Sequence, residues 1–519
     1  MRVARSARVG QTDSLGAGAR RSRKPNHHVN TNDMPSCARC GAPRRSAEVH
    51  RCPGPAEPWR DLGLNGGARA ALDALAGTGR PFVVGGAVRD ALLREAGRTV
   101  PSDGDRDVDI EVHGCDLPTA AAALRAVGAV VVTAGTRFAV LKVVLDGTHL
   151  DVAVVDGAGD DGALTDSAAR RDFTVNAIAW DPVTNEYVDP SGGVDDAVRG
   201  ILRHASDRFG EDPLRVLRAV QLVSRFGFAV HPASIRVART LQGAFTSIAT
   251  ERIWPEVRKT AEGDHLSAAL GFLHASGWER HFAELAAVRD VPQDPRWHPE
   301  GPVHVHAGLA GDAAARACTA DGVRGEDRVV IVLGAVLHDL GKAGDGTRFV
   351  PDGDGTVRIR SLGHETSGAD AARSLLRRLA APRSTVERIV PLVREHMVAH
   401  STNGRAPSVP AARRLVRRLG GSLSAVEAWA RVCEADSQGR GAASGPSPAW
   451  AWFAVALRDA LSRRPDRLLA GRDLIEAGLA PGPVFREVLD AANEAQDEGR
   501  FVDAAGARAW LREALDARP

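Results

Sequence analysis

Apolar residues along this chain follow two spacings, and the architecture changes where one gives way to the other. Residues 1 to about 60 show no apolar period and are rich in Arg, Gly, Ser, Asn and Pro, a composition that predicts disorder. From Pro81 the sequence reads Pro81-Phe-Val-Val-Gly-Gly-Ala-Val-Arg-Asp-Ala-Leu-Leu93, which predicts a buried strand, a glycine turn and a helix. Next, Asp105-Arg-Asp-Val-Asp-Ile-Glu-Val112 alternates with a period of two. Its acidic residues share one face of a strand while Val108, Ile110 and Val112 point into a core. Two more strands are predicted over residues 137–144 and 149–155, and Asp151 falls at the opposite parity to Leu150, Val152 and Val154. It is either a third carboxylate on the polar face or simply a solvent-facing Asp. Further on the period becomes helical, with Asp212 and Pro213 marking a helix start. A later apolar helix, Val329 to Leu340, carries His338 and Asp339 at its end.

At 519 residues and about 150 residues per domain, roughly three or four domains are expected. No apolar run approaches the roughly 20 residues that cross a bilayer. The formal net charge is only +2, so nucleic-acid binding has to come from clustered Arg, such as Arg215, Arg218, Arg225, Arg236 and Arg239 on amphipathic helices. A solvated Arg face is the bland alternative for each of them. Six cysteines without a signal-peptide apolar core argue against a secreted disulfide scaffold, and a reducing cytoplasm is the expected location. The Arg-rich start is read as a loose RNA-binding tail or as sequence upstream of a true start at Met34, ahead of an organelle transit peptide. Inside it, Cys37, Cys40, His50 and Cys52 form a set of soft ligands suited to zinc. The second pair is spaced H-x-C rather than C-x-x-C, which leaves unrelated thiols as the alternative.

Carboxylates packed as closely as those of Asp105 to Glu111 repel, and a bound divalent cation is the natural reason to keep them together. A solvated acidic edge strand is the competing account. Gly85 and Gly86 let a backbone approach a phosphate, with helix N-H donors and Arg89 nearby, although a plain strand-to-helix turn needs the same glycines. Asp212 and Arg215 lie one helical turn apart, and a carboxylate beside a guanidinium presents the acceptors and donors that read a base edge. Helix capping is the simpler role for Asp212.

Taken together, Gly85-Gly-Ala-Val-Arg-Asp90, Asp107-Val-Asp109, Arg171-Asp-Phe-Thr-Val-Asn-Ala177 and Glu211-Asp-Pro-Leu-Arg215 resemble the bacterial class II tRNA nucleotidyltransferases, or CCA-adding enzymes, and their poly(A) polymerase relatives in the DNA polymerase β superfamily. The resemblance implies that Asp107 and Asp109 hold catalytic Mg²⁺; Asp151 joins them as a candidate catalytic carboxylate on its strand parity. It gives Gly85, Gly86 and Arg89 to the triphosphate, and Arg171 with Asp172 to the ribose. Asp212 and Arg215, with Arg218 nearby, become the protein template that selects CTP and then ATP. tRNA is the implied partner, bound at its acceptor end by shape and phosphate. Asp105 and Glu111 receive no catalytic role. The segment between Asp151 and Arg170 is shorter than is usual in the family, so a C-only or A-adding enzyme stays open beside full CCA synthesis.

Downstream, His306, His338-Asp339, His364, His396 and Asp436 resemble an HD-type phosphohydrolase domain. That resemblance makes His306, His338, Asp339 and Asp436 direct ligands of a divalent metal, with His364 and His396 as second-metal ligands or phosphate-side groups. It implies metal-assisted hydrolysis of 2′,3′-cyclic phosphates or 2′-nucleotides. The expected fold is α+β: a disordered tail over 1–60, a polymerase-β-like nucleotidyltransferase head over 61–205, an all-α neck and body over 206–285, an HD domain over 286–440 and a helical tail over 441–519. An HD phosphohydrolase with an RNA-binding head is the alternative enzyme, and a non-catalytic RNA-binding scaffold is weaker still.

Overall fold

The computed structural model describes residues 36–44, 48–101, 107–134, 140–155, 157, 159–344, 346–353, 357–441, 445–461 and 467–517. The expected disordered tail up to residue 35, including Met34, lies outside the described residues, as do Asp105 and Arg137. Eight strands form one mixed sheet: β1 (His50–Pro53), β2 (Arg80–Val84), β3 (Val108–His113), β4 (Val130–Ala134), β5 (Val140–Leu145), β6 (Thr148–Val155), β7 (Ala179–Asp181) and β8 (Glu186–Asp189). Their spatial order is β1-β8-β7-β2-β3-β6-β5-β4. Only β3 and β6 run parallel, and all other neighbours are antiparallel.

Phe82, Val83 and Val84 of β2 are buried on both faces, which is why this strand reads as a continuous apolar run. On one face of the sheet, Val83, Ile110, Val112, Leu141, Val143 and Val152 meet the helices Gly66–Ala76, Gly86–Glu95 and Leu117–Ala126. Each fully buried Val, Leu or Ile contributes about 1.5–3 kcal/mol, so the alternation in β3 is itself a sizeable driving force. On the other face, helix Asp161–Arg170 lays Leu164 over Phe82, Val84, Ala179 and Val188. Asp160 caps this helix through the amide of Ala163. The short segment after β6 is therefore largely a helix seated on the acidic face of β3.

The N-terminal side differs from the expectation. Residues 36–44 fold into a turn, and His50–Pro53 pairs antiparallel with β8 at the edge of the sheet, inside the stretch read as disordered.

Helix Leu214–Phe226 follows Pro213 and packs on Ile253–Ala261 and Leu266–Ala275. Asp212 accepts a hydrogen bond from the amide of Leu214 at 3.1 Å, so the capping role is real. Beyond it, helix Val303–Ala320 packs against both Gly325–Leu337 and Leu423–Gly439, and His364–Arg378 packs against Arg383–Glu395. The expected helix through Leu340 ends at Leu337, which places His338 and Asp339 on the turn that follows. A hairpin of Thr347–Pro351 and Val357–Ser361 that the apolar pattern does not announce stands beside that turn. The helices Gly471–Glu476, Pro483–Asp497 and Ala504–Asp516 share a small core around Leu474, Val488 and Leu511. Arg413 and Arg417 tie this tail to the body through the buried Asp497.

Candidate active sites

The parallel pairing of β3 with β6 sets Asp109 directly opposite Asp151, and Asp107 precedes β3 on the same parity. Lys142, the residue opposite Asp151 on β5, reaches its carboxylate at 2.6 Å. Burial raises the pKa of Asp109; Asp151, Asp107 and Glu111 raise it further, and Arg171 opposes them. Carboxylates on adjacent strands that make one of them costly to ionise are hard oxygen donors, a chemistry that fits a divalent cation such as Mg²⁺. Gly85 sits at the N-terminus of helix Gly86–Glu95 with φ +76°, and a Cβ there would lie 2.5 Å from Asp109 Oδ2. The glycine turn and the acidic strand are thus one fitted unit.

Glu111 is buried and accepts hydrogen bonds from Ser167 and Arg171, both contributed by helix Asp161–Arg170 and its end. Burial alone would raise its pKa, but Arg171, His113 and Ser167 outweigh this and hold it at about 2. Arg89 is buried too, donating to Asp90 at 2.8 Å and to Asn176 Oδ1 at 2.7 Å, with its guanidinium 4.4 Å from the Phe226 ring centre. Asn176 donates to Asp172 at 2.9 Å, and Arg218 Nε donates to the other Asp172 oxygen at 2.7 Å. Arg89, Asn176, Asp172 and Arg218 therefore form one chain of hydrogen bonds from the glycine turn to the neck helix. Asp172 is ionised below the usual carboxylate range, because Arg218, Asn176 and the Phe173 amide overcome the effect of burial. Asp212 and Arg215 are each engaged elsewhere: Arg252 holds the Asp212 carboxylate at 2.7 Å, while Arg215 donates to the carbonyls of Arg208 at 2.8 Å and Arg170 at 2.6 Å.

The second constellation lies among the later helices. His306 Nε2 lies 3.1 Å from Asp436 Oδ1, and His338 Nε2 lies 3.1 Å from Asp339 Oδ2. On the other side of Asp339, Oδ1 is 3.3 Å from His364 Nε2 and 3.8 Å from His396 Nε2. Two groups of converging donor atoms result, His306 with His338 and Asp339, and Asp339 with His364 and His396. All of these side chains, and Asp436, are buried.

Ring orientation decides what such a cluster suits. The Nδ1 atoms of His338, His364 and His396 sit 2.7, 2.6 and 2.7 Å from the carbonyls of Ala335, Ser361 and Val393. A carbonyl only accepts, so each Nδ1 carries a proton and each ring turns its Nε2 inward, the atom that a metal would take. The Nε2 atoms of His364 and His396 face each other at 3.1 Å, close enough to share either a proton or a cation. Neither His338 Nε2 nor either Asp339 oxygen has a partner in hydrogen-bond geometry, although Lys342 Nζ is 2.7 Å from Asp339. The residues present fit divalent metal, and Asp339 belongs to both groups of candidate ligands.

The electrostatics of the cluster agree. Burial would raise Asp339 and Asp436, but His338 and Lys342 hold the first, and His306 and Arg440 the second, well below the carboxylate range. Burial pushes His396 down to about 3, with His338 adding to it. Burial also opposes protonation of His306, yet Asp436 and Glu300 raise it to about 9. A cavity of about 390 Å³ opens onto this cluster, with Trp297, Lys342, Arg360 and Arg440 on its walls.

Residues 81–203 match the Poly A polymerase head domain family, and residues 304–428 match the HD domain family. The Multifunctional CCA protein of Xanthomonas campestris pv. campestris (strain B100) is 34% identical over 381 residues, covering 69% of this chain and 85% of that protein. This chain belongs to the multifunctional CCA protein family. The Multifunctional CCA protein of Acinetobacter baumannii (strain SDF) is 32% identical over 286 residues, 54% of this chain and 65% of that protein. In fold the chain is similar to the Bacillus stearothermophilus CCA-adding enzyme in complex with CTP, with TM-score 0.56 at 24% identity over 89% of this chain and 99% of that one. It is likewise similar to the Thermotoga maritima CCA-adding enzyme complexed with tRNA, with TM-score 0.54 at 19% identity over 88% and 98%. The expected family, fold class and enzyme class are borne out: this member of the CCA protein family is a nucleotidyltransferase with an HD domain. No described helix is long and apolar enough to cross a membrane.

Several residues of the two sites escaped the sequence reading. Glu111 was passed over although its parity places it beside Asp109, and it anchors Arg171. Lys142 and Arg252 become visible only once strand register and helix packing bring them to Asp151 and Asp212. Glu300, 2.6 Å from His306 Nδ1, occupies in this family member the orienting role that carbonyls play for the other three histidines.

Proposed function

We propose that this protein adds CMP and AMP to the 3′ end of tRNA without a nucleic-acid template. The observation that carries this is the register of Asp109 against Asp151, with Asp107 alongside, next to a glycine-led helix N-terminus. The 3′-oxygen of the RNA bonds to the α-phosphorus of the nucleotide, the α–β bridging bond breaks, and pyrophosphate leaves. Bound Mg²⁺ supplies charge neutralisation and favours ionisation of the 3′-hydroxyl. Asp107 and Asp109 would hold it, with Asp151, itself paired with Lys142, as the third carboxylate nearby. Gly85 and Gly86 leave room for the triphosphate at the helix N-terminus, where unpaired amides and the helix dipole favour anions. Arg89 acts from behind, since its buried guanidinium fixes Asn176 and through it Asp172 and Arg218. Arg171 and Asp172 face the sugar. Asp212 and Arg215 read the base after exchanging their present partners, Arg252 and two carbonyls, for the incoming nucleotide. The basic neck helices hold the tRNA acceptor end, and the cytoplasm is where these substrates meet.

In the HD domain His306, His338, Asp339 and Asp436 would hold one divalent metal, and His364 and His396, with Asp339, would hold a second or face the phosphate. The site hydrolyses small phosphate esters, 2′,3′-cyclic phosphates or 2′-nucleotides. Lys342 and Arg440 neutralise the phosphate, and exposed Trp297 offers a face on which a base stacks.

A single assay tests the transferase reading: purified protein, tRNA lacking its CCA end, and labelled CTP and ATP supplied separately and together. Extension by CCA is expected with both nucleotides. No incorporation from either nucleotide overturns it. The shortness of the segment after β6, and its folding as helix Asp161–Arg170, favours one second reading, in which extension stops after CC. Hydrolysis of 2′,3′-cyclic AMP that a chelator abolishes tests the HD site, and no turnover with Mg²⁺, Mn²⁺, Ni²⁺ or Co²⁺ counts against it.

A further inference from the structure

Four side chains outside both sites converge near the N-terminal edge of the sheet. Cys37, Cys40, His50 and Cys52 each bring one ligand atom to within 4.8 Å of the others, and their thiols are not joined in disulfides. We propose that these residues bind one structural Zn²⁺ that fastens β1 to the edge of the head domain. Neither matched family segment reaches them.

Their local structures explain how so loose a spacing closes on one ion. Cys37-Ala-Arg-Cys40 is a tight turn in which Gly41 N donates to Cys37 O at 2.9 Å and Cys37 N donates to Ala42 O at 2.8 Å. Gly41 has φ +72°, the left-handed value that lets the chain double back after the second cysteine. His50 and Cys52 lie two apart on β1, so they project from the same strand face. The H-x-C spacing is thus the strand equivalent of the C-x-x-C turn. Arg51, between them, points the other way and pairs with Asp161 at 2.7 Å.

Tetrahedral zinc, with Zn–S of about 2.3 Å and Zn–N of about 2.05 Å, requires S···S of about 3.8 Å and S···N of about 3.6 Å. Cys37 Sγ to Cys52 Sγ is 4.0 Å, and Cys40 Sγ to His50 Nε2 is 3.5 Å. Cys37 and Cys52 are buried, while Cys40 and His50 lie at the surface side, which gives an ion a route in. All four donors come from protein, leaving no open position, as in sites that hold structure rather than perform catalysis.

The surrounding contacts indicate what the ion would fasten. Ala38 N donates to Asp195 at 2.6 Å, Arg44 pairs with Asp189 and Asp195, and Arg39 pairs with Glu95 at 2.9 Å and lies over the Tyr187 ring. The knuckle therefore covers β8, the strand that would otherwise end the sheet with unpaired backbone groups.

The HD site also binds metal in the present reading, so the test has to report on thiolates. The full chain is treated with EDTA to strip the HD metals, then titrated with a mercurial thiol reagent while released zinc is read with a chromophoric chelator. One zinc per chain, released in step with thiol modification, is expected. Replacement by Co²⁺ is expected to give thiolate-to-metal charge-transfer bands that Cys40→Ser diminishes. Trypsin is expected to cut at Arg39 and Arg44 only after the thiol reagent has released the zinc. No zinc released by the thiol reagent together with no thiolate-Co²⁺ band in the wild-type chain, or a Cys37 to Cys52 disulfide found by mass spectrometry, overturns the proposal. The cobalt measurement needs no variant, so it holds even if Cys40→Ser fails to fold.

Discussion

Gly85→Ala is the substitution whose outcome the geometry specifies most closely. The added Cβ would sit 2.5 Å from Asp109 Oδ2, on a backbone whose φ is +76°. A non-glycine residue held in a sparsely populated conformation costs about 1–3 kcal/mol, so the head is destabilised without being lost. The contact cannot stand, and restoring an ordinary separation of about 3.4 Å displaces the Asp109 carboxylate by about 0.9 Å. A misplacement of about 1 Å in a catalytic constellation costs on the order of 100-fold in rate. The assay is single-turnover incorporation of CMP into tRNA lacking CCA, with phosphohydrolysis measured on the same preparation as an internal control. Incorporation is expected to fall about 100-fold while hydrolysis stays unchanged, because the HD site lies outside the head. Incorporation within about threefold of wild type would refute the claim that this glycine is fitted to the metal-holding carboxylate.

Three further outcomes follow from the same geometry. Asp109→Ala should abolish nucleotide addition and leave phosphohydrolysis intact; near-normal labelling of tRNA by that variant would sink the assignment of β3. Asp339→Ala removes the carboxylate shared by both histidine groups, so hydrolysis and metal retention in the HD domain should be lost together while CMP addition continues, and a hydrolytically active variant would show that Asp339 bridges nothing. Glu111 has a folded pKa of about 2 against an ordinary 4.5, so its stabilisation is complete above about pH 4.5 and drains away as pH falls toward about 2, amounting to about 3 kcal/mol at most. Denaturant unfolding from pH 5 downward should therefore show a shallower acid loss for Glu111→Gln than for wild type, and parallel curves would remove Glu111 from the account.

Periodicity made β2, β3 and the neck helix legible, because a buried strand with alternating faces and a proline-led helix leave their spacing in the sequence. The same rule failed for Glu111, an acidic residue on the face expected to be polar. It is buried because helix Asp161–Arg170 folds onto that face and brings Arg171 to it, a tertiary event that no local pattern encodes. β1 was missed for a related reason. Four residues with an Arg between a His and a Cys carry almost no strand signal, and pairing with β8 and the ligand cluster supply what propensity does not. In the HD domain the histidines and aspartates were visible as residue types, whereas Glu300 gains its role only from the turn that aims it at His306 Nδ1.

The contacts also bear on how base choice and phosphoryl chemistry communicate. Arg215 donates to the carbonyl of Arg170, the last residue of helix Asp161–Arg170, and the next residue, Arg171, holds Glu111 on the strand of Asp109. Arg218, one residue beyond the first turn of the same neck helix, holds Asp172, which through Asn176 reaches Arg89 behind the glycine turn. Two routes therefore leave one helix face, one ending on the acidic strand and one on the glycine turn fitted against it. Under the proposed reading, a base that draws Arg215 away from the Arg170 carbonyl removes a hydrogen bond from the end of a helix that covers the acidic strand. The segment between β6 and Arg171 is short, so little slack absorbs such a change before it reaches Glu111. If Arg215 reads the base as proposed, the ten residues of helix Asp161–Arg170 lie between nucleotide selection and the acidic strand.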